Sequence, residues 1–250
     1  MSHAPERLRT ENLVDPVGLS AVSLRLSWWS GDDRPAEVQS GYQIQAATDV
    51  EQLAGEPDLW DSGKVAGDKS LGLAYGGELP APGRGVFWRV RTYDSDGIAS
   101  SWSEPASFFV ATDLESSDAR WICAPLSGNR LRSAAVPVFR RTFDIEGDVS
   151  HATLTLAAMG AVHVEINGQA VTDLAFAPGW SSFGSRLQSR MSSIGDLLAS
   201  GRNAIAVFLS DGWYGGAVDG VSRQHYGERA MLKAELQVDS GLDREQHIVT

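Results

Sequence analysis

A single cysteine, Cys123, stands in the whole 250-residue chain. One thiol cannot close an internal disulfide, and cysteine-based zinc sites need several, so both are excluded. Basic clusters are missing as well: 21 Lys and Arg face 32 Asp and Glu, a formal net charge of −11. No run of Lys or Arg breaks that excess in either half, which argues against a nucleic-acid partner. Apolar runs all fall short of the ~20 residues that a membrane-spanning helix requires. The opening stretch, MSHAPERLRTENL, lacks the apolar core of a secretory signal. These absences lead to the expectation of a soluble, cytoplasmic protein with no membrane partner.

What the chain has instead is alternation. In Val162-His163-Val164-Glu165-Ile166 every second residue is apolar, the period of a strand with one buried face. Asn167-Gly168 follows at once, a pair that tolerates the positive φ values of a tight hairpin turn. Leu154 to Val171 is expected to form one alternating strand ending in that turn. A loop, FAPGWSSFGSRLQS, leads to a second alternating run, Ala204 to Leu209, which ends in the aromatic cluster of DGWYGG. Function is expected to gather on these loops.

The rest of the chain has the same character. Residues 1–10 are polar and expected to be loose. Val22 to Trp28 predicts a strand with Val22, Leu24, Leu26 and Trp28 on one face. Gly41 to Ala46 predicts another, with Tyr42, Ile44 and Ala46 inward. Leu59 to Val65, Val86 to Tyr93 and Ser101 to Val110 complete a first sandwich of ~100 residues, immunoglobulin-like or fibronectin-like. Its aromatics, Trp28, Tyr42, Trp60, Trp88 and Trp102, read as core fillers rather than ligand-stacking groups. The polar segment ATDLESSDAR marks the join. The expected organisation is an all-β chain: a sandwich over 1–112, a linker over 113–120 and a jelly-roll sandwich over 121–250. In the second sandwich, Val138 to Ile145 and Met231 to Val238 read as strands, and Met191 to Ala199 as a short helical turn.

Chemistry is harder to find. Glycoside hydrolysis needs two carboxylates about 5–9 Å apart, and no pair is singled out by spacing. Asp94, Asp96, Asp32 and Asp33 fall in turns or loops, where short acidic side chains bond nearby backbone amides. The five histidines have no metal-ligand spacing, and His163 should face solvent. The glycines Gly212, Gly215, Gly216 and Gly220 lack the strand-to-helix setting of a dinucleotide fingerprint. No catalytic residue is therefore expected.

Several segments together resemble the N-terminal part of the bacterial α-L-rhamnosidases. In the first half these are ENLVDPVGL, LSWW, GYQIQAATD, LWDSGKV and FWRVRTYDSDGIASSWSEPASF. In the second they are VFRRTFDI, AAMGAVHVEINGQAV, FAPGWSSF, GRNAIAVFLSDGWYGG and YGERAMLKAELQV. The resemblance implies a fibronectin type III-like first domain and a jelly-roll second domain, which in some members binds L-rhamnose with help from calcium. It also implies that the catalytic (α/α)6 barrel is absent from this chain, so that no rhamnosidase activity is expected from it alone. The second domain is expected to be truncated at its C-terminus, leaving Met231 to Val238 near an exposed sheet edge.

Under this resemblance the expected partner is a rhamnose-containing carbohydrate. Flat rings cover the C–H faces of sugars, and carboxylates take their hydroxyls. Trp180, Asp211, Trp213, Tyr214, Asp219 and Tyr226 supply those groups on the loops. No cofactor is required, but Asp173, Asp211 and Asp219, with Asn167, are hard oxygen donors suited to calcium. Internal packing for the aromatics and turn chemistry for the acids stand as the alternative, in which both domains are purely structural.

Overall fold

The structure is a computed structural model that describes residues 3–30, 38–126, 128–218, 222–240 and 245–250. Contacts divide the chain into two units, Met1–Ala111 and Thr112–Thr250. Both are β-sandwiches, and no helix among the described residues is long and apolar enough to cross a membrane.

The first unit contains β1 (Glu6–Thr10), β2 (Val17–Leu19), β3 (Arg25–Trp29), β4 (Gly41–Ala47), helix α1 (Val50–Ala54), β5 (Trp60–Asp61), β6 (Val65–Ala66), β7 (Leu73–Ala74), β8 (Gly85–Tyr93) and β9 (Ala106–Val110). One sheet has the order β1-β3-β7; the other runs β2-β9-β8-β4-β5, with β6 also on β4. Alternation decides which side chains meet between them. Leu26 and Trp28 from β3, Ile44 and Ala46 from β4, and Trp88 and Val90 from β8 are fully buried in one core. Trp28 packs its ring on Tyr42 at 5.4 Å.

Four expectations fail here. Trp102 is half-buried against Arg89 and Arg91 and does not fill the core. The last strand begins at Ala106 and not at Ser101. Residues 6–10 are not loose: β1 pairs with β3, Thr10 opposite Leu26. Val22 does not share the inner face with Leu24, and it is 78% exposed. Ser23 has φ of +58°, so the backbone turns there and the strand begins only at Arg25.

The second unit contains β10 (Val138–Ile145), β11 (His151–Met159), β12 (Ala161–Ile166), β13 (Gln169–Ala170), β14 (Ser189–Ser193), β15 (Gly201–Ser210), helix α2 (Gly212–Gly215), β16 (Met231–Asp239) and β17 (Glu245–Val249). Two antiparallel four-stranded sheets, β10-β15-β12-β13 and β14-β11-β16-β17, enclose an aliphatic core. Leu154 and Leu156 of β11, Val164 and Ile166 of β12, Leu209 of β15 and Leu236 of β16 lie at its centre. The Asn167-Gly168 hairpin forms, with φ of +52° and +79°, and sets Ile166 opposite Gln169.

Three local expectations are corrected. Leu154 to Val171 is not one strand, because Gly160 breaks it and sends β11 and β12 into opposite sheets. Gly160 has φ of +149°, and an added Cβ would lie 2.5 Å from the Ser210 carbonyl oxygen, so only glycine makes this corner. Met191 to Ser193 belongs to β14, and only Gly195–Leu197 forms a short 3-10 turn. Met231 to Val238 is no edge: β16 lies between β11 and β17, with Leu236 opposite both Leu154 and Ile248. Ile248 is buried in the core, which is why the last apolar pair of the sequence forms a strand.

The segment read as a linker is bonded to the second unit at both ends. Thr112 Oγ1 donates to Gln237 Oε1 at 3.3 Å, and Arg120 N donates to the Thr250 carbonyl at 2.9 Å.

Candidate functional site

Of the candidate residues, Asp211, Trp213, Tyr214 and Tyr226 gather where β15 ends. Ser210 closes the strand and Gly212 turns the chain with φ of +50°; an added Cβ there would sit 2.7 Å from Ala161 N. That close approach to the Gly160 corner requires glycine and starts the single turn of α2, which carries Trp213 and Tyr214. Gly215 N and Gly216 N donate back to the Asp211 and Gly212 carbonyls at 2.9 and 3.0 Å.

A second segment is tied across this turn. Gln224 N donates to the Gly215 carbonyl at 3.0 Å and Tyr226 N to the Tyr214 carbonyl at 3.4 Å. Tyr214 and Tyr226 both meet the ring of Phe183 edge-on, at 5.4 and 5.2 Å, and His225 stands 4.6 Å from Tyr226. Tyr214 and Tyr226 are brought together through Phe183, a residue that the sequence reading passed over. Phe183 lies in the quoted FAPGWSSF segment, so composition could have drawn attention to it.

The loop before Phe183 is pinned from beneath. Leu174 is fully buried, and Ala177 accepts a 2.9 Å hydrogen bond from Val162 N. Between and beyond these anchors, Phe176 and Trp180 stand 74% and 54% exposed. Trp180 is thus outside the core, whereas Trp213 is half-buried.

Asp211 faces away from solvent. Its Oδ2 pairs with Arg223 Nη2, and the two side chains are only 19% and 17% exposed. Both line a cleft of about 210 Å³, with Ser133, Ser210, Gly212 and Gly216 among the other walls. Arg223 Nε is buried and has no acceptor among the described residues. Arg223 had no motif or spacing to mark it in the sequence.

Among the described residues the expected calcium donors do not assemble. Asp173 Oδ2 accepts from Ser192 Oγ at 2.6 Å. Asn167 is spent on the hairpin, donating to the Leu197 carbonyl and to Asn203 Oδ1 and accepting from Ala204 N. Asp211 is taken by Arg223, and Asp219 lies outside the described residues. Among the described residues no three His, Cys, Asp or Glu side chains come together as a metal site. These donors therefore form no calcium site among the described residues. His163 faces solvent as expected, with Nε2 3.2 Å from Glu165 Oε1.

Fold and loops define a pair of β-sandwich domains with an aromatic and charged cluster at the end of one central strand. Residues 5–112 match the family described as Rha78A-like, N-terminal immunoglobulin domain, and residues 147–250 match the alpha-L-rhamnosidase N-terminal domain. The chain belongs to the α-L-rhamnosidase family and corresponds to its N-terminal region. An Alteromonas sp. alpha-L-rhamnosidase is 32% identical over 237 residues, which is 91% of this chain and 26% of the relative. A Streptomyces avermitilis alpha-L-rhamnosidase is 35% identical over 83% of this chain and 22% of its own length. The chain thus spans about a quarter of the curated relatives it matches. Among solved structures, the alpha-L-rhamnosidase of Dictyoglumus thermophilum superposes with a TM-score of 0.80 at 24% identity, covering all of this chain and 29% of that one. The S. avermitilis enzyme complexed with L-rhamnose gives 0.70 at 21% identity, covering 99% of this chain and 40% of that one. These likenesses show the fold.

Proposed function

We propose that this chain is a non-catalytic, carbohydrate-binding and scaffolding part of an enzyme that removes terminal α-L-rhamnosyl groups. The observation that carries the reading is the convergence at the end of β15: aromatic rings (Phe183, Tyr214, Tyr226) and a half-buried Asp211–Arg223 pair occupy neighbouring turns. Ring faces and charge-assisted hydrogen bonds are the two contact types a sugar uses. L-rhamnose is the first ligand to test, because one structural relative is complexed with it. Titration calorimetry of the chain with L-rhamnose, with and without calcium, should give a binding heat that calcium does not alter. Absence of heat with L-rhamnose and with a panel of other monosaccharides would refute the reading.

A purely structural role is the second reading, and a specific observation favours it. Phe183, Tyr214 and Tyr226 already satisfy one another edge to face, so part of their surface is spent internally. In either reading the chain by itself performs no hydrolysis. Asp173 and Asp211 are each committed to a partner within the sandwich. Turnover of an aryl rhamnoside that survives repurification would overturn that expectation.

A further inference from the structure

The outer face of the first unit carries a set of unused donors that keep their contact with solvent. Arg89 and Arg91 are two residues apart on β8, so their side chains leave the same face of the sheet. Their guanidiniums lie 4.5 and 4.7 Å from the centroid of one ring, Trp102, and so cannot be farther apart than those distances summed. Each is fixed by a glutamine on β4. Arg89 donates Nε and Nη2 to Gln45 Oε1, and Arg91 donates the same pair to Gln43 Oε1, at 2.7–3.0 Å. Nη1 of each arginine is left over. Neither has an acceptor among the described residues, and neither is shut off from solvent.

Charge on this face is unbalanced as well. Asp61 stands at the end of the ladder, but its oxygens are held by Gln43, Gln45 and Gly63 N. Its hydrogen bonds reach the guanidiniums only through the two amides. Burial and the neighbouring Arg91 charge hold Arg89 below its usual range, and Asp61 offsets this only in part. Beyond Arg91 the cations continue, with Lys64 Nζ 4.1 Å from the Tyr93 ring. In a chain of net charge −11 this is a local concentration of positive charge held in fixed geometry. An oxyanion that accepts from both Nη1 groups relieves the repulsion between them. Carboxylate and sulfate suit the planar guanidinium, which donates in a fork.

We infer that the Arg89–Trp102–Arg91 ladder is a docking site for an acidic saccharide, whose carboxylate or sulfate group bridges the two free Nη1 donors. The choice of a saccharide rests on the carbohydrate reading above; the anionic group and its place on the first sandwich go beyond it.

The full chain is titrated with D-glucuronate, D-galacturonate and D-galactose 6-sulfate, each beside its neutral parent sugar, at fixed ionic strength. The Nε–H resonances of Arg89 and Arg91 are followed by ¹⁵N-resolved NMR. They should shift saturably with at least one charged sugar and with no neutral one. Arg91→Lys keeps the charge but loses the fork, and should weaken binding roughly tenfold or more. Its melting temperature serves as the folding control, and the resonances of the unsubstituted chain decide the matter if the variant fails to fold. No shift with any charged sugar overturns the inference, even where sodium sulfate or a poly-glutamate peptide moves the signals. Equal affinity in Arg91→Lys overturns it too, as does a neutral sugar that shifts them as strongly. Calorimetry with L-rhamnose tests the carbohydrate reading separately, so that either can fail while the other stands.

Discussion

The two sandwiches spend their aromatic residues in opposite ways. In the first unit Trp28, Trp88 and Phe108 are fully buried between the sheets, with Tyr42, Trp60 and Tyr75 packed around them. In the second unit Phe143 is the one aromatic among the buried residues of the core, and Leu, Ile, Val and Ala fill the rest. Phe139 and Phe208 lie on strands β10 and β15, and the rings at the candidate site stand outside the strands: Phe176 and Trp180 exposed, Phe183, Tyr214 and Tyr226 clustered. The contrast teaches that aromatic content alone does not mark a binding domain. A ring that fills a core is structure, and a ring on an anchored loop, such as Trp180, is left on the surface.

The contrast has its sharpest test in two tryptophans. Trp88→Ala opens a large void in the first core and should cost about 3–5 kcal/mol. Trp88→Phe should cost much less, since it also removes an indole N–H that is buried without a partner. Trp180→Ala should change stability by no more than about 0.5 kcal/mol, as expected for an exposed side chain. Denaturant unfolding of the three variants checks this. Equal losses for Trp88→Ala and Trp180→Ala would erase the distinction between the two kinds of ring.

A backbone change should strike the second unit alone. Gly160→Ala places a Cβ against the Ser210 carbonyl at a φ that L-residues rarely adopt. Strain of this kind costs about 1–3 kcal/mol, and it falls on the corner that separates β11 from β12. Calorimetry should show the transition of the second unit lowered while that of the first stays in place. A variant in which both transitions move equally would mean that the corner does not belong to one unit.

These positions also show what sequence reading reaches. Alternation located β4, β8, β10 and β15 closely, because one face of each is buried and the period is two. It could not see the corner at Gly160, because the residues on both sides alternate in phase with a single strand. It missed β1 because a polar stretch such as ERLRT pairs through its backbone, which leaves little trace in side-chain pattern. At the candidate site, aromatic loops were legible from composition. Arg223 was not, since only the fold brings it to Asp211, twelve residues earlier.

A smaller effect tests the outer face of the first unit. There Arg89 and Arg91 lie over the ring of Trp102 at 4.5 and 4.7 Å, and each guanidinium also donates to a glutamine on β4, Gln45 and Gln43. Each cation–π contact at a partly exposed site is worth about 0.5–1 kcal/mol. Trp102→Ala should therefore lower stability by about 1–2 kcal/mol, well short of the loss at Trp88. A loss matching Trp88→Ala would mean that this ring also serves as core.

The smallest expected effect lies at the end of the same ladder and appears only in acid. Gln43 Nε2 and Gln45 Nε2 donate to the two oxygens of Asp61 at 2.7 and 2.8 Å, and Gly63 N donates at 2.8 Å. Burial pushes the Asp61 carboxyl up, but the hydrogen bonds from Gln45, Gln43 and Gly63, with the nearby charge of Arg91, outweigh it and hold the group below the usual carboxylate range. A carboxyl depressed in the folded state stabilises that state only while ionised. Its contribution is fully present above the unfolded value of about 3.9 and fades as pH falls through the lower folded value. Asp61 remains largely open to solvent, so the contribution is modest. Between about pH 5 and pH 2 the first unit should lose stability more steeply in the unsubstituted chain than in Asp61→Asn, which keeps the shape but cannot titrate. Parallel acid limbs for the two proteins would show that the ladder orders this face without linking its stability to protons.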